Sequence, residues 1–400
     1  MTRKQIPARP GIRGLASDRP QATRYPTDAE QENAMQDGYG PINIIEAGAK
    51  GDGVTDDTDA IQEAINRVCA RGGGKLFFPF TPRGYRIARP AREEIDGHRC
   101  RGQLYIPFRA NLRANIHFEG EMPCKLLYSY MVRRQNNPAL PNTHFDRPNV
   151  NTFLFSDWEA PEEHDPEARP WSLLAALEGD IAKGRFGVAN VSIRNIEFQS
   201  RLDPDKLYPT ASAVNLQNAS RVNISDSQFC LDRNIGDADL GRWLQPNPCH
   251  TAALIMSGDQ NDDNVLHNVA AQGHRYGFVL GEHVVADYLY VHNSEQALIF
   301  HDSSHLSAIN HIVAQHNQKI VNTTENNLFG MRPGPCHVEI AGIDFEAGGP
   351  DHVPEVSNMT HGVWDPGDRL FGRLGYHCGC PCGLDFFPKQ GGANLICRRL

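Results

Sequence analysis

The sequence predicts an all-β chain: a single-stranded right-handed parallel β-helix with an N-terminal capping α-helix and an irregular C-terminal cap. Two repeats predict it. Val191-Ser-Ile-Arg-Asn-Ile-Glu-Phe198 aligns with Val222-Asn-Ile-Ser-Asp-Ser-Gln-Phe229 and with Val338-Glu-Ile-Ala-Gly-Ile-Asp-Phe345. Each reads as strand, tight bend and second strand, with alternate side chains inward. A second register stacks the runs that begin at Ala213, Ala253, Gly277, Ala297 and Lys319, separated by 40, 24, 20 and 22 residues. Steps of this size, without a helical run in each, fit the coils of a β-solenoid. A β-sandwich also has many short strands, but it gives no such stacked register.

Residues 1–38 are polar and rich in Pro and Arg, and read as an extended arm. Asp57–Ala70 reads as one helix, with Ala60, Ile61, Ala64, Ile65 and Val68 on one face. Asp56 or Thr55 can cap its start, and Gly72–Gly74 ends it. Short strands are expected at Lys75–Pro79 and Tyr85–Ile87. The coils should occupy residues 39–345, interrupted by long loops near 135–187 and 230–250, the first with a helix at Trp171–Ile181. Residues 346–400, rich in Gly, Pro, Cys and His, should close the open end of the coil.

The helix and its flanks also carry a likeness. Gly48-Ala-Lys-Gly-Asp-Gly-Val-Thr-Asp-Asp-Thr-Asp-Ala-Ile-Gln-Glu-Ala-Ile65, then Gly72-Gly-Gly-Lys-Leu-Phe-Phe-Pro79 and Gly84-Tyr-Arg-Ile87, resemble the N-terminal signature of pectate-lyase-superfamily β-helices. Polygalacturonase-related glycosidases, lyases, epimerases and phage tailspikes share it. The resemblance implies that the helix caps the solenoid and that Asp52, Asp56 and Asp57 are structural. It transfers no catalytic residue. Asp262-Asp263 and Gly273-His274-Arg275 partly match the galacturonan hydrolase patterns, while Asn-Thr-Asp and Arg-Ile-Lys are absent.

Composition narrows the partner. The 39 basic and 48 acidic residues give a net charge of −9. That charge lacks the basic excess of a nucleic-acid binder. No apolar run is long enough to cross a membrane. The basic start has no apolar stretch behind it, and the ten cysteines mostly stand alone, so reduced thiols and a cytoplasmic location are expected. Cys378, Cys380 and Cys382 beside His377 do not have the usual zinc spacing. No cofactor or metal is expected.

The stacked register also suggests a site. Asp259, Glu282 and Asp302 follow successive strand ends, and form a ladder of carboxylates if coils stack about 4.8 Å apart. Paired carboxylates suit glycosidic cleavage, in which one protonates the leaving oxygen and the other attacks or activates water. Asp263, His283 and His301 flank that ladder and complete the catalytic candidates. Trp243, Arg242 and Asp239 in the expanded coil, with Arg275 and Trp171, are the candidates for holding sugar, since an indole face covers the C–H face of a pyranose. The expected function is a carbohydrate-active enzyme that cleaves or transfers a glycosidic bond in a poly- or oligosaccharide. The alternatives are a polysaccharide lyase or uronate epimerase, and a tailspike- or adhesin-like glycan-binding protein. A homo-oligomer, trimer or dimer, fits any of these.

Overall fold

A computed structural model describes residues 40–95, 98–107, 115–121, 153–156, 171–177, 188–201, 211–232, 251–256, 263–300, 307–315, 317, 319–323, 337–346, 355–356, 369–376 and 396–397. Their strands form two stacks, one of fourteen strands and one of nine, in which the coil neighbours pair in parallel. One antiparallel pair, Arg92–Ile95 with His98–Ile106, lies at the edge of the smaller stack.

Each regular coil has three faces. Asn264–Gln272 is one strand that bends at Asn268, whose φ is +52°. Residues before the bend form the first face and residues after it the second. Tyr276–Leu280 forms the third, in the smaller stack. The bend recurs at Asn195 (φ +56°) and Asp226 (φ +50°) on the preceding coils. Asn and Asp tolerate this left-handed backbone better than other residues with a side chain. Gly273 (φ +76°) turns the next corner, where an added Cβ would lie 2.5 Å from the Leu231 carbonyl oxygen.

The core is a set of inward rows. Leu76, Phe118, Ile193, Ile224, Leu266, Ala286, Ile309 and Ile340 pair in succession along the first face, and all are buried. Along the second face Phe198 stacks on Phe229 with ring centres 5.2 Å apart. The third face is buried on both sides: Phe278 and Leu298 belong to the main core, while Ile255, Val279 and Ile299 form a separate cluster. Burial on both faces produces the continuous apolar runs read in the sequence.

The helix Thr58–Ala70 buries Ile61, Ala64, Ile65 and Val68 in the main core. The side-chain amide of Gln62 also closes a strand edge. Its Nε2 donates to the Tyr105 carbonyl and its Oε1 accepts from the Tyr105 N–H, both at 2.9 Å. It thereby gives that peptide the two bonds a neighbouring strand would supply. Asp57 is the N-cap, but its carboxylate accepts from the N–H groups of Lys50 and Gly51 instead of the helix. Asp56 reaches the helix N-terminus, at the Thr58 N–H.

These loop carboxylates make the cap sensitive to acid. The Thr55 N–H, then the Val54 N–H and the Thr55 hydroxyl, hold Asp52 down from 3.8 to about 2. Burial pushes Asp56 up, but bonds from the Thr58 hydroxyl and N–H and from the Ala88 N–H outweigh it, so its net shift is downward. Burial raises Asp57 despite its N–H donors. A lowered folded pKa gives stability that is present above the unfolded value and lost as pH falls through the folded one. Asp57 has the opposite sign: its contribution is present at low pH and lost as pH rises through its folded pKa. Thermal melts of Asp52→Asn should therefore show a weaker pH dependence than the parent between about pH 4 and about pH 2. An unchanged slope there would show that Asp52 does not control the acid limb.

Three expectations need correction. Trp171–Ala176 is a strand paired on both sides, with no helix over Trp171–Ile181 among the described residues. Ser172–Leu177 is buried throughout, and period alone cannot distinguish such a run from a buried helix. The region 135–187 is accordingly not all loop, since Phe153–Ser156 and Trp171–Ala176 each join a stack. The parallel pairing also continues beyond residue 345, because Arg369–Tyr376 pairs with His337–Glu346 and then with Ile396–Cys397. The Gly- and Cys-rich composition of the last segment hides the run Leu370, Leu374 and Tyr376, whose register partners are Val338, Ile343 and Phe345. The arm at 1–38 and the Cys378, Cys380 and Cys382 group lie outside the described residues. No described helix is long and apolar enough to cross a membrane.

Candidate functional site

The described candidates fall at two corners of the coil. Asp263, Glu282 and His283 lie between the third face and the first. Asn264 pairs with Val284, so Asp263 and His283 occupy the same place on successive coils. Both have left-handed φ, +58° and +54°. They extend a row of left-handed turn residues that runs through Asn115, Asn190 and Arg221. Turn geometry therefore favours Asp at this position. Its side chain is 72% exposed and lies 3.7 Å from Arg221, a contact of little energetic weight. Glu282 is the middle residue of the tight turn Gly281–His283 and is half-buried.

Trp171 and Arg275 lie at the corner between the second face and the third. Pairing carries Arg101 onto Trp171, then Ala211, Thr251, Arg275 and Glu295. Neighbours in this row interact. The Arg101 guanidinium lies 5.0 Å from the Trp171 ring centre. The Arg275 N–H donates to the Thr251 hydroxyl at 3.1 Å. Arg275 Nε is 2.7 Å from Glu295 Oε2, and its Nη2 donates to Oε1 at 3.4 Å. Those two side chains are 19% and 17% exposed. The Arg275 guanidinium also lies 5.5 Å from the Tyr276 ring centre, and burial pushes the Tyr276 phenol up to about 12.

The structure thus brings Trp171 and Arg275 into one row, and brings Asp263, Glu282 and His283 to one corner. It keeps the two groups apart by the length of a five-residue strand, about 16 Å. Asp259, His301, Asp302, Asp239, Arg242 and Trp243 lie outside the described residues. Sequence reasoning missed Glu295 and Arg101. Glu295 was legible, since it follows Arg275 by 20 residues, the same step that separates Gly277 from Ala297. Among the described residues no group of three or more His, Cys, Asp or Glu is placed to hold a metal.

Residues 41–91 match the family model described as rhamnogalacturonase A/epimerase, pectate lyase-like. Alginate lyase 7 of Azotobacter vinelandii is 57% identical over 37 residues, 9% of this chain and 4% of that protein. Three solved structures align with the chain. ORF18 of Geobacillus virus E2 has 13% identity and a TM-score of 0.34, over 87% of this chain and 64% of that one. A variant tailspike protein of E. coli bacteriophage HK620, in complex with a pentasaccharide, has 10% identity and a TM-score of 0.42, over 86% and 61%. The A-module of the Azotobacter vinelandii mannuronan C-5 epimerase AlgE6 has 12% identity and a TM-score of 0.30, over 85% and 96%. The chain therefore spans less than two thirds of the first two structures, and its match spans a small part of the curated relative. The matched segment comprises the capping helix and the first strands, and contains neither corner group. The N-terminal segment is thus similar to the pectate-lyase-like family, and the stacked parallel coils behind it form a parallel β-helix.

Proposed function

We propose that this chain is a carbohydrate-active enzyme that cleaves a glycosidic bond in a polysaccharide, with carboxylates at the corner between the third and first faces. The observation that carries the reading is the register at that corner, which sets Asp263 opposite His283 on the next coil, with Glu282 one residue before it. Asp302 follows Glu282 by 20 residues in the sequence, the step that separates Gly277 from Ala297, and lies outside the described residues. A step between coils is about 4.8 Å. That matches the separation of about 5 Å at which one carboxyl protonates the leaving oxygen while the other attacks the anomeric carbon. Glu282 is assigned the proton transfer and Asp302 or Asp263 the second role.

Elimination or epimerisation at a uronate is the second reading. The family description and the name of the curated relative favour it. It requires a cation at the sugar carboxylate. Arg275 has that chemistry, but it is engaged by Glu295, so hydrolysis ranks first.

The test is digestion of a panel of neutral and uronate polysaccharides, following reducing ends and the ultraviolet absorbance of unsaturated uronate together. New reducing ends without new absorbance are expected. New absorbance would replace hydrolysis with elimination. Binding without any cleavage would leave a glycan-binding protein.

A further inference from the structure

Arginine grips a carboxylate side-on through Nε and one terminal nitrogen. Glu295 lies along that edge of Arg275: Nη2 donates to Oε1 at 3.4 Å, and Oε2 sits 2.7 Å from Nε as an ion-pair contact without an aligned hydrogen bond. We infer that Glu295 is the specificity-determining residue of the corner row: it keeps Arg275 from holding a sugar carboxylate, so the row takes neutral glycan at that coil and turns acidic glycan away. The inference rests on the reading of the chain as carbohydrate-active.

Two features support it. The pair is mostly buried, at 19% and 17% exposure, so solvent screens it less than a surface pair, and displacing Glu295 would leave a carboxylate poorly compensated. Arg275 is also held in place. Its N–H donates to Thr251, its carbonyl accepts from the Gln296 N–H at 3.0 Å, and its guanidinium lies against Tyr276. A uronate would therefore meet Glu295 wherever it met Arg275, and like charges at that range repel. Arg101 does not alter this balance. It lies four coil steps away, about 19 Å at the strand spacing, beyond the Debye length of about 8 Å at physiological salt.

The experiment is calorimetric titration of the full chain with oligogalacturonates and with the same oligomers after reduction of their carboxyls to alcohols. The parent should bind the reduced form at least about tenfold more tightly than the acidic one. That ratio corresponds to about 1.4 kcal/mol. Glu295→Gln should bind the acidic form about tenfold more tightly than the parent does, and less so as salt is raised. Glu295→Asp keeps the charge and should retain the parental preference. It serves as the second variant if Glu295→Gln melts early. Tighter binding of the acidic form by the parent would overturn the inference, as would a Glu295→Gln variant with no gain. Either result, with glycan still bound, leaves the wider carbohydrate reading intact. Failure of parent and variants to bind or cleave any glycan overturns both.

Discussion

Phe229→Ala should destabilise the coil by about 3–5 kcal/mol, the range for removing a buried aromatic ring. Phe229 is fully buried, stacked on Phe198 at 5.2 Å and paired on the next coil with Ala271. A methyl group on that side cannot expand into the space, so the cavity stays open and its cost adds to the lost transfer free energy. The loss should appear in denaturant titrations as an earlier midpoint. Solenoids can unfold in parts, so two probes are needed, one of them reporting on the core. Val285→Ala is the comparison. Val285 is 50% exposed on the outer side of the first face, so the change should stay within about 0.5 kcal/mol. Equal effects from the two variants would mean that the inward row at Phe229 does not hold the coil together.

The sequence made the repeat legible wherever side chains alternate under one constraint. The alignment of Ala213, Ala253, Gly277 and Ala297 is the register found, since Val214, Leu254, Phe278 and Leu298 pair in succession. It slips by one at Lys319, which pairs with Gln296, so that Leu298 meets Val321 after 23 residues instead of 22. The apolar run at Ile320-Val321 fits either register, and only the pairing decides. The strand at Trp171–Ala176 was illegible for a related reason, because burial on both faces erases the alternation that marks a strand. The site was legible in one direction only. Residues that follow the aligned strands supplied Glu282 and His283, whereas the equally regular positions before them hold Arg275 and Glu295. Asp263 shows the limit of reading chemistry from residue type, since a left-handed turn admits Asp for its backbone tolerance whether or not its charge is used.

Glu282→Gln should lower kcat on whichever polysaccharide is cleaved by about 10²–10⁴-fold, the usual contribution of a positioned acid or base. The amide is nearly isosteric and still forms hydrogen bonds, but it cannot give a proton to a leaving oxygen. Glu282 sits in a turn whose backbone is set by Gly281 and the left-handed His283, so the melting temperature should not fall with the activity. The second carboxylate is then found by coupling. Residues that act as one unit are non-additive, so removing the second partner costs little once the first is gone. If Asp302 is the partner, Asp302→Asn should match Glu282→Gln, and the double variant should be no slower than either. If Asp263 is the partner, Asp263→Asn shows that pattern, and its fold should hold because Asn also accepts left-handed φ. Full additivity with both would mean that Glu282 has no carboxylate partner at this corner. An active Glu282→Gln would move the chemistry to the row of Trp171, Thr251 and Arg275, about 16 Å away along the third face.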